Sequence, residues 1–206
     1  MPPQAKQSDG TARLLSNILH PWVLMVPVVA AIAYQAIDEP IERLKWTLLT
    51  LVPAFTFPLL YARIRTSMLS TAESKPKITR SMVRDDPVQL LAMTVVFSIP
   101  AILILYLLDG PRDVLGIMVS LGLVMLVVAL VNTVYRASFH LAMVTSLLTS
   151  LGLVFGGIAL VTLPLIPLLA LSRYRLGAHD PLQMTVGFMI GIAASALVFL
   201  GLGLLS

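Results

Sequence analysis

The 206-residue sequence contains no cysteine. Disulfide scaffolds, thiolate nucleophiles and cysteine-based metal sites are therefore excluded. Charge is scarce too: Asp, Glu, Lys and Arg make up only 12% of the chain, and ten acidic residues face fourteen basic ones for a net charge of +4. No carboxylate falls inside a long apolar stretch. Asp9, Asp38, Glu39, Glu42, Glu73, Asp85, Asp86, Asp109, Asp113 and Asp180 lie in the tail, in connecting segments or at span boundaries. Proton- and cation-coupled transport leans on intramembrane carboxylates, so that class loses ground. Enzymes that hold magnesium on a diphosphate need clustered aspartates, and only Asp85-Asp86 offers a pair, with no third carboxylate at helical spacing. Metal-dependent chemistry is disfavoured, and no cofactor is expected. The opening Met1–Thr11 is polar, without a short apolar core and a small-residue cleavage site, so a cleaved signal peptide is not expected.

What the chain has in abundance is apolar length. With 58% apolar residues and a mean hydropathy of +0.93, its runs reach spanning length again and again. The reading is all-α: a polytopic transmembrane helical bundle of about six to seven spans, integral to a membrane and most simply the bacterial cytoplasmic one. A flexible basic tail over residues 1–13 precedes one transmembrane domain over 14–206. The expected spans are Trp22–Ile37, Trp46–Ala62, Pro87–Leu108, Val114–Val134, Phe139–Phe155, Ile158–Leu171 and Pro181–Leu205. Trp22, Trp46 and Tyr61 are placed as interfacial belt residues. Pro53 and Pro58 suggest a kink, and Asp109-Gly110-Pro111 a tight turn. Ser138 can cap the fifth span. Gly152-x-x-x-Gly156 and Gly187-x-x-x-Gly191 set small residues one turn apart for close helix contact, within the bundle or across a dimer interface.

If every run spans, the N-terminus, the basic stretch Arg63–Asp86, Arg136–His140 and Arg173–His179 share one face. That face carries Lys6, Arg13, Arg63, Arg65, Lys75, Lys77, Arg80, Arg84, Arg136, Arg173 and Arg175, against Arg43, Lys45 and Arg112 opposite. The positive-inside rule makes it cytoplasmic. The bias weakens once the residues that an anionic ligand would claim are set aside.

That face also gathers cations with imidazoles. Guanidinium forks match phosphate oxygens in pairs, and lysine adds a point charge. Two histidines suit phosphoryl transfer without a metal: a neutral one attacks phosphorus, and a protonated one gives its proton to the leaving oxygen. Three segments carry such residues in order. The third and most complete is Ser172-Arg173, followed by His179 and then Gln183. The second is Ala137-Ser138-Phe139-His140, and the first sets Lys77 seven residues before Arg84. Asp180-Pro181-Leu182-Gln183 reads equally well as a capped helix start, with Asp as N-cap and Gln three residues on.

Together these segments resemble the three-part signature of the type 2 phosphatidic acid phosphatase superfamily, Lys-x6-Arg-Pro, Pro-Ser-Gly-His and Ser-Arg-x5-His-x3-Asp. The start Leu15-Ser16-Asn17-Ile18-Leu19-His20-Pro21 is similar to that of divergent bacterial members. The resemblance implies a membrane phosphatase of lipid phosphates or isoprenoid (di)phosphates that works through a phosphohistidine. His179 would be the nucleophile and His140 the general acid. Arg173, Lys77, Arg84 and Ser138 would bind phosphate, Arg80 being an alternative to Arg84. The departures are specific. Asp85 stands where proline follows Arg84, the second motif keeps only Ser and His, and Gln183 replaces the aspartate that orients the nucleophile. A silent relative that binds lipid or assembles a complex is the competing reading. The implied partners are the bilayer and a lipid or isoprenoid phosphate, not nucleic acid. The family often opens its site to the outer face, whereas the charge count places it inside.

Overall fold

The computed structural model describes residues 10–70 and 87–204. These residues are helical, with no strand among them. α1 covers Gly10–Ile18, α2 Pro21–Ala36, α3 Pro40–Ser70, α4 Pro87–Leu107, α5 Arg112–Val131 and α6 Phe139–Phe155. A 3-10 segment, Gly156–Thr162, leads to α7, Leu165–Arg175, and α8, Pro181–Gly201. Five stretches are long and apolar enough to cross a membrane: Gly10–Ala36, Pro40–Tyr61, Arg112–Val131, Phe139–Thr162 and Pro181–Gly201.

α5 is the axis of the bundle. It packs against α2, α4, α6 and α8, and Val114, Ile117, Met118, Leu121, Val124 and Val128 along it are fully buried. Peripheral helices turn large apolar side chains outward, among them Leu59, Tyr106 and Leu197. In hydrocarbon such exposure is neutral, because lipid tails are as apolar as leucine.

α6 and α8 lie against each other and run in parallel. A β-carbon at Gly187 would stand 2.5 Å from the carbonyl oxygen of Ser138, and one at Gly191 would stand 2.5 Å from that of Ala142. Further along, Ser195 Oγ lies 2.8 Å from Ser146 Oγ and receives a hydrogen bond from Ser150 Oγ at 3.2 Å. Gly187-x-x-x-Gly191 therefore packs within the bundle. At Gly152 and Gly156 an added β-carbon would meet nothing within 4 Å. Gly156 serves the backbone instead, with φ +65° where α6 ends.

Two parallel neighbours require a return segment between them, and the structure corrects its form. The single helix expected over Ile158–Leu171 is a 3-10 segment followed by the 11-residue α7. The junction falls at Pro164, the N-cap of α7, which cannot donate to the carbonyl of Leu160. At the N-terminus, helix begins at Gly10, inside the expected tail. α1 buries Ala12 and Ser16, exposes Leu14 and Ile18 on one flank, and exposes Arg13 and Asn17 on another. A short helix with those three faces suits the membrane surface.

The belt expectation also changes. Trp22 wedges its indole against Phe55, with ring centroids 5.3 Å apart, and edge-on to Phe97 at 5.0 Å. Trp46 is buried, and its indole N–H donates to Glu42 Oε2 at 3.1 Å. Pro53 and Pro58 sit within one unbroken α3.

Candidate active site

The second and third sequence motifs converge where α2, α6 and α8 begin and α7 ends. α7 stops in a left-handed turn. Gly177 has φ +63°, its N–H reaches Tyr174 O, and Ala178 N–H reaches Arg173 O at 3.0 Å. Glycine takes that conformation without a β-carbon penalty. The reversal delivers His179, which is only 9% exposed, to the start of α8.

α8 opens with the capping box legible in the sequence. Asp180 Oδ1 accepts from Gln183 N at 2.8 Å, and Asp180 N donates to Gln183 Oε1 at 3.3 Å. His179 Nδ1 lies 3.0 Å from that same Gln183 oxygen. These contacts fix more than position. Amide oxygen and nitrogen are normally assigned by context, and here the context is a backbone N–H, which can only donate. The Gln183 atom facing Asp180 N must therefore be oxygen. An oxygen can only accept from His179, so Nδ1 carries the proton. In the neutral ring, Nε2 then holds the lone pair.

The backbone N–H of Ser138 donates to the carbonyl of Gln183 at 3.0 Å, which ties the start of α6 to that of α8. The connection before it is closed by Asn132, whose side-chain oxygen accepts from Ala137 N at 2.8 Å. Ser138 occupies the N-cap position but does not cap. Its hydroxyl is fully buried and makes no hydrogen bond with any described residue. The first-turn N–H groups of α6 lack an intrahelical carbonyl. An uncapped helix start beside a buried hydroxyl and two imidazoles favours an anion. On the flank, partial burial and then the Asp180 carboxylate hold the Tyr135 hydroxyl above its ordinary value.

Arg173 is buried, 7% exposed, and its Nη1 donates to Ser16 Oγ at 3.3 Å. Its neighbour Ser172 donates to the carbonyl of Ala12 at 2.7 Å. The Ser-Arg pair thus clasps α1. One turn past Ser16, His20 meets His140 with ring centroids 4.7 Å apart and planes at 89°. The contacts run as a ring: Arg173 to Ser16, along the chain to His20, then His140, Ser138, Gln183, His179 and back through the α7 turn. His179, His140, Ser138, Arg173 and Gln183 all belong to it. Lys77 and Arg84, with Arg80, lie outside the described residues. Sequence reasoning missed Ser16 and gave His20 no role. The available signal was histidine in N-cap position before Pro21. Among the described residues, no three His, Asp or Glu side chains come together as a metal site would need.

An apolar groove of about 520 Å³ lies between α7 and the first turns of α6 and α8. Leu141, Ile166, Pro167, Ala170, Met184 and Phe188 line it. Leu141 follows His140 directly, and Met184 follows Gln183. No protein-family model, curated protein or solved structure matches this chain.

Proposed function

We propose that this chain is a membrane-embedded, metal-independent phosphatase of lipid phosphates or isoprenoid (di)phosphates, a divergent relative of the type 2 phosphatidic acid phosphatases with six to seven spans. The observation that carries the reading is the doubly engaged Gln183 oxygen, because it sets His179 in the tautomer that a nucleophile needs. His179 Nε2 forms a bond to phosphorus as the bond to the leaving lipid oxygen breaks. Protonated His140 gives its proton to that oxygen. Water then attacks the phosphohistidine and hands a proton to His140, which releases phosphate and restores both rings. The start of α6, the Ser138 hydroxyl and Arg173 hold the phosphoryl oxygens, with Lys77 and Arg84 as further ligands.

The apolar groove supports a lipid substrate. Moving a chain from bilayer to groove gains little, since both are apolar. The groove therefore places the tail and aims the headgroup, and affinity comes from the phosphate contacts. The test is phosphate release from phosphatidate or a polyprenyl diphosphate in detergent with chelator present. No turnover by the wild type, or full activity in His179→Ala, would end this reading.

Gln183 sharpens the test. Loss of the aspartate in a serine-protease triad lowers rate by about 10⁴, chiefly through the wrong tautomer. Here the tautomer is held, and only the negative charge is missing. Gln183→Glu keeps the length that spans both contacts and makes the bond to His179 charge-assisted, roughly twice as strong. A rise in kcat of about tenfold or more is expected, and Gln183→Leu should lose most activity. A second reading, a silent lipid-phosphate binder, is favoured by one contact: Arg173 is engaged with Ser16 of α1. Tight binding of phosphatidate with no hydrolysis, unchanged in Gln183→Glu, would establish it.

A further inference from the structure

His20 stands outside the three motifs, yet its ring faces that of His140 edge-to-face at 4.7 Å. We infer that His20 is a positioning residue for His140, an inference that rests on the phosphatase reading above. Three observations carry it. The first is the ring contact itself, which joins the α1–α2 elbow to the first turn of α6.

The second is the fixed chemistry of His20. Its Nδ1 accepts the backbone N–H of Trp22 at 3.3 Å, as the N-cap of α2. A ring nitrogen that accepts a backbone N–H carries no proton, so in the neutral His20 ring the proton lies on Nε2. The third is what holds Trp22. Its indole is locked against Phe55 and Phe97, so the backbone donor is rigid and with it the plane of the His20 ring.

His140 therefore meets a ring held by the α2 cap rather than lipid. The orientation matters because His140 must first give a proton to the leaving oxygen and then take one from water at almost the same point. Acid–base transfer depends on hydrogen-bond reach, and small misplacements lower rate steeply. His20 makes no contact with the reacting atoms in this scheme. It limits the angles available to the ring that does.

The two roles of His20, capping α2 and facing His140, separate by substitution. His20→Asn keeps a good N-cap acceptor but removes the ring. His20→Phe keeps a ring and removes the acceptor. If the ring positions His140, His20→Asn lowers kcat by about two- to tenfold, the range that loss of one edge-to-face contact corresponds to. Its KM stays within about twofold and its melting temperature is unchanged. His20→Phe melts lower but restores kcat per folded molecule. Wild-type kcat in a folded His20→Asn protein overturns the inference while leaving the phosphatase reading intact. A wild type that turns over no lipid phosphate removes both.

A measurement on the unmodified protein guards against misfolded variants. With only three histidines in the chain, ¹³C-histidine spectra in micelles are readily assigned. The ring protons of His140 should be displaced by the His20 ring current. Resonances at solvent-like positions would overturn the inference.

Discussion

The two ends of α6 make an instructive pair. Each lies near a Gly-x-x-x-Gly spacing, and the sequence treats the two spacings alike. At the N-terminal end, Gly187 and Gly191 of α8 press onto the α6 backbone, with carbonyls 2.5 Å from where their β-carbons would be. At the C-terminal end, Gly152 and Gly156 face open space, and the chain passes into a 3-10 segment whose Ile158 and Val161 are about four-fifths exposed. One end is a tight seam that locks two helix starts together. The other is a lipid-facing turn. The glycine spacing permits close approach but does not demand it. The partner helix decides.

The comparison breaks most visibly at Gly187. Gly187→Ala puts a methyl against the Ser138 carbonyl, so α8 must shift off α6. The expected destabilisation is about 1–3 kcal/mol, and under the proposed phosphatase reading activity is largely lost as well, because Ser138 and Gln183 separate. Thermal melts in detergent and phosphate release check it, and an unaffected variant would mean the seam is loose. Next in size is Ser195→Ala, which removes the hydroxyl shared by Ser146 and Ser150. A loss of about 0.6–1.7 kcal/mol is expected, typical of buried hydroxyl bonds between membrane helices, with site chemistry unaltered.

At the open end the sign reverses. Gly152→Ala meets no neighbour and should stabilise by roughly 0.5–1 kcal/mol through helix propensity, read as a higher melting temperature. Gly156→Ala should do the opposite, since its positive φ resists any β-carbon. The smallest effect belongs to Tyr135, beside the seam. The fold disfavours its phenolate, through burial and then Asp180. Stability should therefore fall as pH rises past about 10, the ordinary tyrosine value, where the unfolded chain releases the proton first. Tyr135→Phe should flatten that alkaline decline in melts taken across pH 9 to 12, a window chosen around the ordinary tyrosine value.

Helix limits set by local chemistry were partly legible in the sequence. Asp180-Pro181-x-Gln183 opens α8 at the expected residue, whereas Ser138 marks the start of α6 without the side-chain cap expected of it. Hydropathy failed where composition conceals geometry. It reads Ile158–Leu171 as one span although the 3-10 segment gives way to α7 at Pro164. The belt rule cannot tell an indole facing lipid from one wedged between Phe55 and Phe97. Long-range pairings such as His20 with His140, or Ser172 with Ala12, have no local signature at all. Gln183 is the most telling residue. As a sequence letter it is either a helix cap or a histidine partner. An amide oxygen has two lone pairs, and the side chain takes both roles.

That double duty ties the local stability of α8 to the tautomer of His179. Fraying of the first turn of α8 breaks the Asp180–Gln183 box and releases the His179 ring in the same event. Amide hydrogen exchange at Asp180 and Gln183 thus counts the openings of the α8 start that free the His179 ring from its partner. Any ligand that binds only the poised ring must slow that exchange in proportion to its occupancy.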